Sequence, residues 1–267
     1  MIEAKQVVKT YRTKGTNGTN GSATVNAVNG VDFIWEPGEF CVLVGESGSG
    51  KSTLSQLLMG LIPPTSGELL LDGKSIAFFR KHNHKELCAE IQLVLQDGKS
   101  ALDPRYSVYD CIAEPLRNLK RINRAEEKRQ IQDLLKKMEL PQELLTRKAH
   151  ELSGGQQKRV CIARALAAHP QYIIFDEAVS GLDVLVRKSV LDLLEKLHRE
   201  QNIAFLFITH DMDVALYLAN RILVMKDGFI VEDVPYTGDT SCFNHPYSRL
   251  LLNSVLPRQA ATSQQAI

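Results

Sequence analysis

The chain has 267 residues, 44% of them hydrophobic and 24% charged, with a formal net charge of +1, so it can bury a substantial core, enough for one α/β domain carrying an inserted lobe. A charge so near zero supplies no long-range basic field for nucleic acid or an anionic lipid surface. No apolar run approaches the ~20 residues that span a bilayer and no basic-then-apolar leader opens the chain, which predicts a cytoplasmic protein whose membrane attachment comes through specific partners.

In chain order, residues 1–14 and 23–36 read as strands of a small antiparallel sheet. They are separated by the low-complexity insert Gly15–Ser22, a mobile loop by composition. Asn17-Gly18-Thr19 and Asn20-Gly21-Ser22 match the glycosylation pattern, which a cytoplasmic chain never presents to that machinery. Phe40–Val44 is wholly apolar, the pattern of a buried parallel strand, and Gly45-Glu46-Ser47-Gly48-Ser49-Gly50-Lys51-Ser52-Thr53 follows it directly. Glycines there let successive N–H groups turn inward on a phosphate, and the predicted helix Ser52–Leu61 adds the positive end of its dipole. This loop predicts binding of a nucleoside triphosphate. Gly45, Ser47, Gly48, Ser49 and Gly50 form the cradle, Lys51 reaches the β- and γ-phosphates, the Ser52 hydroxyl binds Mg²⁺, and Thr53 adds a phosphate contact.

Asp72-Gly73, between Glu68–Leu71 and Lys74–Ile76, is a hairpin turn by sequence. The polar run Arg80–Lys85, with His82 and His84, reads as a solvated helix or loop rather than a metal site. Ile91–Leu95 is strand-like and leads into Gln96; from about Gly98 to Gln156 the pattern turns helical and charged, notably over Arg124–Met138. Ser153, Gly154 and Gly155 open a helical run Gln156–Ala168, which makes a second anion site at a helix N-terminus. A chain with one phosphate loop has no need of two such sites for one nucleotide. Tyr172–Phe175 is another buried strand, and it ends in Asp176-Glu177 where a doubly wound sheet presents its ligand-binding edge. Ile203–Ile208 likewise delivers Thr209-His210-Asp211. After Val231 the chain leaves the expected core for an extension ending in the polar, frayed Arg258–Ile267. The five cysteines, Cys41, Cys88, Cys111, Cys161 and Cys242, show no CxxC spacing and read as reduced core or surface residues.

Leu152-Ser153-Gly154-Gly155-Gln156-Gln157-Lys158-Arg159 resembles the signature of ATP-binding cassette proteins, and the flanking motifs stand in that family's order. The resemblance implies a P-loop ATPase with a RecA-like parallel-sheet core, a small antiparallel β subdomain and an inserted helical subdomain at about 98–156. The cassette would cover 1–234 and a C-terminal extension 235–267. It also implies that Ser153, Gly154, Gly155 and Gln156 face the γ-phosphate held by a second cassette, so that dimerisation is part of catalysis. On the same resemblance Asp176 holds Mg²⁺ through water, and Glu177 is the base that orients and deprotonates the attacking water. Gln96 matches the Q-loop glutamine, whose carboxamide joins the Mg²⁺ shell. His210 matches the switch histidine at the γ-phosphate, Asp183 in Ser180-Gly181-Leu182-Asp183 belongs to the D-loop across the dimer interface, and Tyr11 stacks on adenine.

Ser100–Arg105 and Ala113–Leu116 are similar to the segment that receives a permease's coupling helix in peptide and nickel importers, and His245–Leu251 is similar to that group's C-terminal extension. Asp176-Glu177-Ala178-Val179-Ser180 departs from the usual Asp-Glu-Pro-Thr-Ser and, with Leu206–Asp211, resembles the E-type ATPase subunit of nickel importers. Members of this kind pair with a second, different ATPase subunit, two permeases and an extracytoplasmic binding protein at the cytoplasmic face of the membrane. The group's C-terminal iron–sulfur cysteine cluster is missing here, with only Cys242, so no cluster is carried over. The nearest alternative is a dipeptide or oligopeptide importer with the same chemistry. A cassette ATPase of DNA repair or translation is disfavoured by the absence of tandem cassettes, coiled-coil arms and basic surfaces.

Overall fold

The computed structural model describes residues 1–14, 22–120 and 122–255. In chain order its strands are β1 (Ile2–Lys14), β2 (Ser22–Trp35), β3 (Phe40–Val44), β4 (Ser66–Leu71), β5 (Lys74–Ser75), β6 (Ile91–Val94), β7 (Tyr172–Asp176), β8 (Ala204–Thr209), β9 (Arg221–Lys226) and β10 (Phe229–Pro235). They form two sheets. The smaller is antiparallel, in the order β2-β1-β4-β5, and the larger runs β10-β9-β3-β8-β7-β6. Within the larger sheet all neighbours are parallel except β10, which returns antiparallel on β9.

Parallel strands covered on both faces need apolar residues at every position, and β3 and β8 are buried throughout. Alternate side chains of β3 enter different cores. Phe40, Val42 and Val44 join Phe175, Phe205 and the helical lobe, whereas Cys41 and Leu43 join Ile2, Trp35 and Tyr172 beneath the antiparallel sheet. Trp35 meets the Tyr172 ring edge-on at 4.9 Å between centroids. The inserted lobe is built from helices Val108–Pro115 and Arg124–Lys137 joined through a π-helical turn, Leu116–Lys120. Inside it the Glu127 carboxylate accepts from Arg117 Nε at 2.9 Å and from the Tyr109 hydroxyl at 2.9 Å, and the Arg117 bonds hold it below the usual carboxylate range.

Several elements differ from the sequence reading for definable reasons. The phosphate-loop helix is Lys51–Leu58, not Ser52–Leu61. It stops at Gly60, whose φ of +66° is followed by Leu61 N–H bonding back to Gln56 O at 2.9 Å, a left-handed glycine stop. The hairpin has both central residues at positive φ, Asp72 at 49° and Gly73 at 73°, as a type I′ turn requires. Its second strand is only Lys74–Ser75, because Ile76 begins a helix that runs to His82. His84 starts the next helix, His84–Glu90, beside Cys88. The signature helix is Gly154–Ala167, starting earlier than predicted because Ser153 and Gln156 close a capping box on each other's backbone N–H.

The chain does not leave the core at Val231. β10 continues to Pro235, and the extension then turns back, burying Phe243, Tyr247 and Leu252. The predicted insert falls on residues 15–21, outside the described residues, while Ser22 already belongs to β2. The predicted tail Arg258–Ile267 also lies outside them. All five cysteines are free, and burial pushes every one of their thiols up, Cys111 to about 11.

Candidate nucleotide site

The larger sheet brings three strand ends together at its C-terminal edge. Val44 pairs with Thr209 and Asp176 with Ile208, so Gly45, His210 and Glu177 each stand one residue beyond neighbouring strands. Close backbone approach dictates the glycines of the loop. A Cβ on Gly45 would sit 2.2 Å from Met225 O, and one on Gly50, whose φ is +108°, would sit 2.1 Å from Ala27 O.

Lys51 is 5% exposed and folds into the loop, where its Nζ donates to Gly45 O and Glu46 O at 2.7 Å each. Burial lowers its ammonium from the ordinary lysine range, against the raising pull of Glu177, Asp176 and Glu46. Ser52 Oγ donates to Asp176 Oδ1 at 3.4 Å. Burial raises the Asp176 carboxyl, opposed by the Ser52 hydrogen bond and aided by the neighbouring Glu177 charge. Glu177 holds φ at +48°, with its N–H bonded to Ile208 O at 2.9 Å, and its Oε1 lies 3.3 Å from His210 Nδ1. A left-handed glutamate costs of order 1–3 kcal/mol and persists only where its surroundings impose it, as this bond across the strand ends does.

Lys51, Ser52, Asp176, Glu177 and His210 therefore converge. Ser47 and Gly48 are exposed at the loop's rim, Ser49 is buried, and Thr53 points from the first turn of the following helix. Ser153–Gln156 stand apart from this group, their contacts running to the D-loop segment: a Cβ on Gly154 would lie 3.8 Å from Leu182, and one on Gly155 2.7 Å from Val186 Cγ1. Asp183 caps the next helix, Val184–Gln201, by accepting from Val186 N–H at 3.0 Å. Gln96 is exposed just past β6. Tyr11 lies on β1 opposite Val25, 40% exposed, with Lys9 Nζ 5.4 Å from its ring centroid.

Two neighbours of the site escaped the sequence reading. Lys158, 2% exposed on the signature helix, donates from Nζ to Leu95 O at 2.6 Å and to Gln96 O at 2.7 Å, gripping the backbone on which Gln96 rides. The available signal was a lysine among the apolar positions of a helix buried on most sides. Arg187, one turn after the D-loop, pairs with Asp211 Oδ2 at 2.9 Å and so ties that helix to the residue after His210.

Residues 28–180 match the model of the ABC transporter family. The chain belongs to that family. It is 43% identical over 257 residues to the nickel import ATP-binding protein NikE of Brucella suis biovar 1 (strain 1330), spanning 96% of both chains. It is 40% identical over 231 residues to the oligopeptide transport ATP-binding protein OppF of Lactococcus lactis subsp. lactis (strain IL1403), spanning 86% of this chain and 72% of that one. Among solved structures, the ATP-binding cassette MJ0796, a post-hydrolysis dimer bound to ADP and Pi, superposes with a TM-score of 0.76 at 31% identity, covering 90% of this chain and all of that one. The chain is thus an ATP-binding, ATP-hydrolysing subunit of an ABC importer of the nickel or peptide type, a class that works with membrane permeases. Among the described residues no helix is long and apolar enough to cross a membrane.

Proposed function

We propose that this cassette powers nickel uptake, free or chelated, from the cytoplasmic face of the membrane, paired with a second, different ATPase subunit, two permeases and an extracytoplasmic binding protein. The observation that carries this reading is the 43% identity to a nickel import ATPase along 96% of both chains. The oligopeptide relative supports the second reading, a peptide importer with the same machinery.

In the proposed cycle the backbone N–H groups of Gly45–Thr53 receive the β- and γ-phosphates, and Lys51 exchanges its bonds to Gly45 O and Glu46 O for phosphate oxygens. Tyr11 stacks on the adenine. Ser52 and Asp176 present oxygen atoms and fit a hard cation, which the carboxamide oxygen of Gln96 would join. Phosphate oxygens of the bound nucleotide would complete its shell. Mg²⁺ held there would neutralise phosphate charge. Glu177 takes a proton from water as its oxygen bonds the γ-phosphorus and the bond to the β–γ bridging oxygen breaks, and His210, 3.3 Å from that carboxylate, orients the same water. Ser153–Gln156 and Asp183 complete the partner cassette's site, so that closure of the pair accompanies binding and reopening follows phosphate release.

Uptake of radioactive nickel by nickel-limited source cells carrying the normal chain or Glu177→Gln tests the reading. Selective loss of uptake in the variant is expected. Unchanged nickel uptake alongside lost peptide uptake would overturn it in favour of the peptide importer.

A further inference from the structure

The C-terminal motif His245-Pro246-Tyr247 has no part in the chemistry above, yet it reaches the phosphate loop. Although Tyr247 follows Glu46 by 201 positions, its hydroxyl accepts a hydrogen bond from Glu46 N–H at 3.0 Å. The ring is 6% exposed and lies 5.0 Å beneath Lys226 Nζ at the end of β9. Its placement is fixed from both sides. His245 Nδ1 accepts from Tyr247 N–H at 3.2 Å at the start of helix Pro246–Val255, and Glu232 Oε1 on β10 accepts from His245 N–H at 3.0 Å. The neighbouring β9–β10 turn grips the same loop, Gly228 N–H donating to Ser49 O at 2.9 Å, and on β9 itself Met225 O packs against Gly45. The loop is thereby held at its first residue by β9, at its fifth by the β9–β10 turn and at its second by the C-terminal extension.

We propose that Tyr247 is a positioning residue for the phosphate loop, so that the C-terminal extension is a working part of the ATPase site. The inference rests on reading Gly45–Thr53 as the phosphate loop. An anion cradle made of backbone N–H groups binds well only if those groups already converge, and a tie at Glu46 meets that ordering cost before nucleotide arrives. Because the cradle grips phosphate in both the ground and the transition state, loosening it weakens binding without slowing the chemical step.

Tyr247→Phe removes the hydroxyl and keeps the ring under Lys226. Binding of a fluorescent ATP analogue to the full-length chain, with Mg²⁺ present, and ATPase kinetics of the assembled complex read the effect. The Kd and the KM for ATP should both rise about 3- to 10-fold, the size of one hydrogen bond, with kcat within about 2-fold. The melting temperature without nucleotide should fall by no more than the few degrees that one lost hydrogen bond costs. An unchanged Kd, a loss confined to kcat, or a fall in melting temperature well beyond that, which would mark general unfolding, would each overturn the proposal. Lys51→Ala, run in parallel, separates the two readings: if it binds nucleotide normally, the loop assignment itself falls; if it loses binding while Tyr247→Phe does not, only the role of Tyr247 falls.

Discussion

Gly155→Ala probes the contact between the signature helix and the D-loop helix. Its Cβ would lie 2.7 Å from Val186 Cγ1, so a neighbour must give by about 1 Å to restore ordinary contact. Val186 has little freedom to do so. Its N–H is fixed by the Asp183 cap, and a β-branched side chain in a helix has one strongly preferred χ1. Overpacking of this kind costs about 1–3 kcal/mol, offset by roughly 0.5–1 kcal/mol from replacing a helical glycine, for a net loss of about 0.5–2 kcal/mol. Val186→Ala alone should cost about 1 kcal/mol by removing methyls from a half-buried site. In the double variant the colliding methyl is gone, so it should be more stable than the sum of the singles by the overpacking relieved, about 1–3 kcal/mol. Urea titration of the four nucleotide-free proteins isolates this internal term from any effect at a partner's ATP. Additivity to within about 0.5 kcal/mol would refute the contact.

Glu177→Gln preserves shape and removes the proposed base, so it should bind ATP and dimerise while hydrolysis falls by about 10²- to 10⁴-fold; near-normal turnover in a phosphate-release assay would sink that role. Asp176→Asn should stabilise the nucleotide-free chain at neutral pH. The folded carboxyl is raised above its unfolded value, so what it contributes is intact below about pH 4 and is lost as pH rises through the folded value, which makes the variant's gain vanish in acid in paired thermal melts. Lys158→Met should leave ATP affinity within about 2-fold and lower kcat by about 10-fold, since it releases the backbone that carries Gln96 without touching the loop. Burial lowers the Lys158 ammonium, so the unfolded chain holds more protons as pH climbs through the folded value toward the ordinary lysine value of about 10; the unaltered chain should gain stability relative to the Met variant over that rise.

Much of this site is legible in the sequence because it is local. Gly45–Thr53 carries its mechanism in consecutive residues, and the apolar runs before Asp176 and His210 place both on one sheet edge whatever the rest of the chain does. Bounds slipped where a single backbone conformation decides them, as with Gly60 ending the loop helix and Ser153 starting the signature helix. The contacts made by Lys158, Arg187 and Tyr247 were illegible for a different reason. Each acts through a partner remote in sequence, and no periodicity records that a lysine amine will find the carbonyl of Leu95 or a phenol the amide of Glu46.

The alternating side chains of β3 bear on dissection of the molecule. Because Cys41 and Leu43 share a core with Ile2, Val28 and Trp35, the antiparallel sheet is a lid on the catalytic one and not a separable module. A fragment beginning at Phe40 would bare an apolar face of the central sheet to solvent, and such fragments clump before they can be assayed. Swapping the N-terminal sheet between related cassettes should succeed only when the side chains it lays against β3, β7 and β8 travel with it.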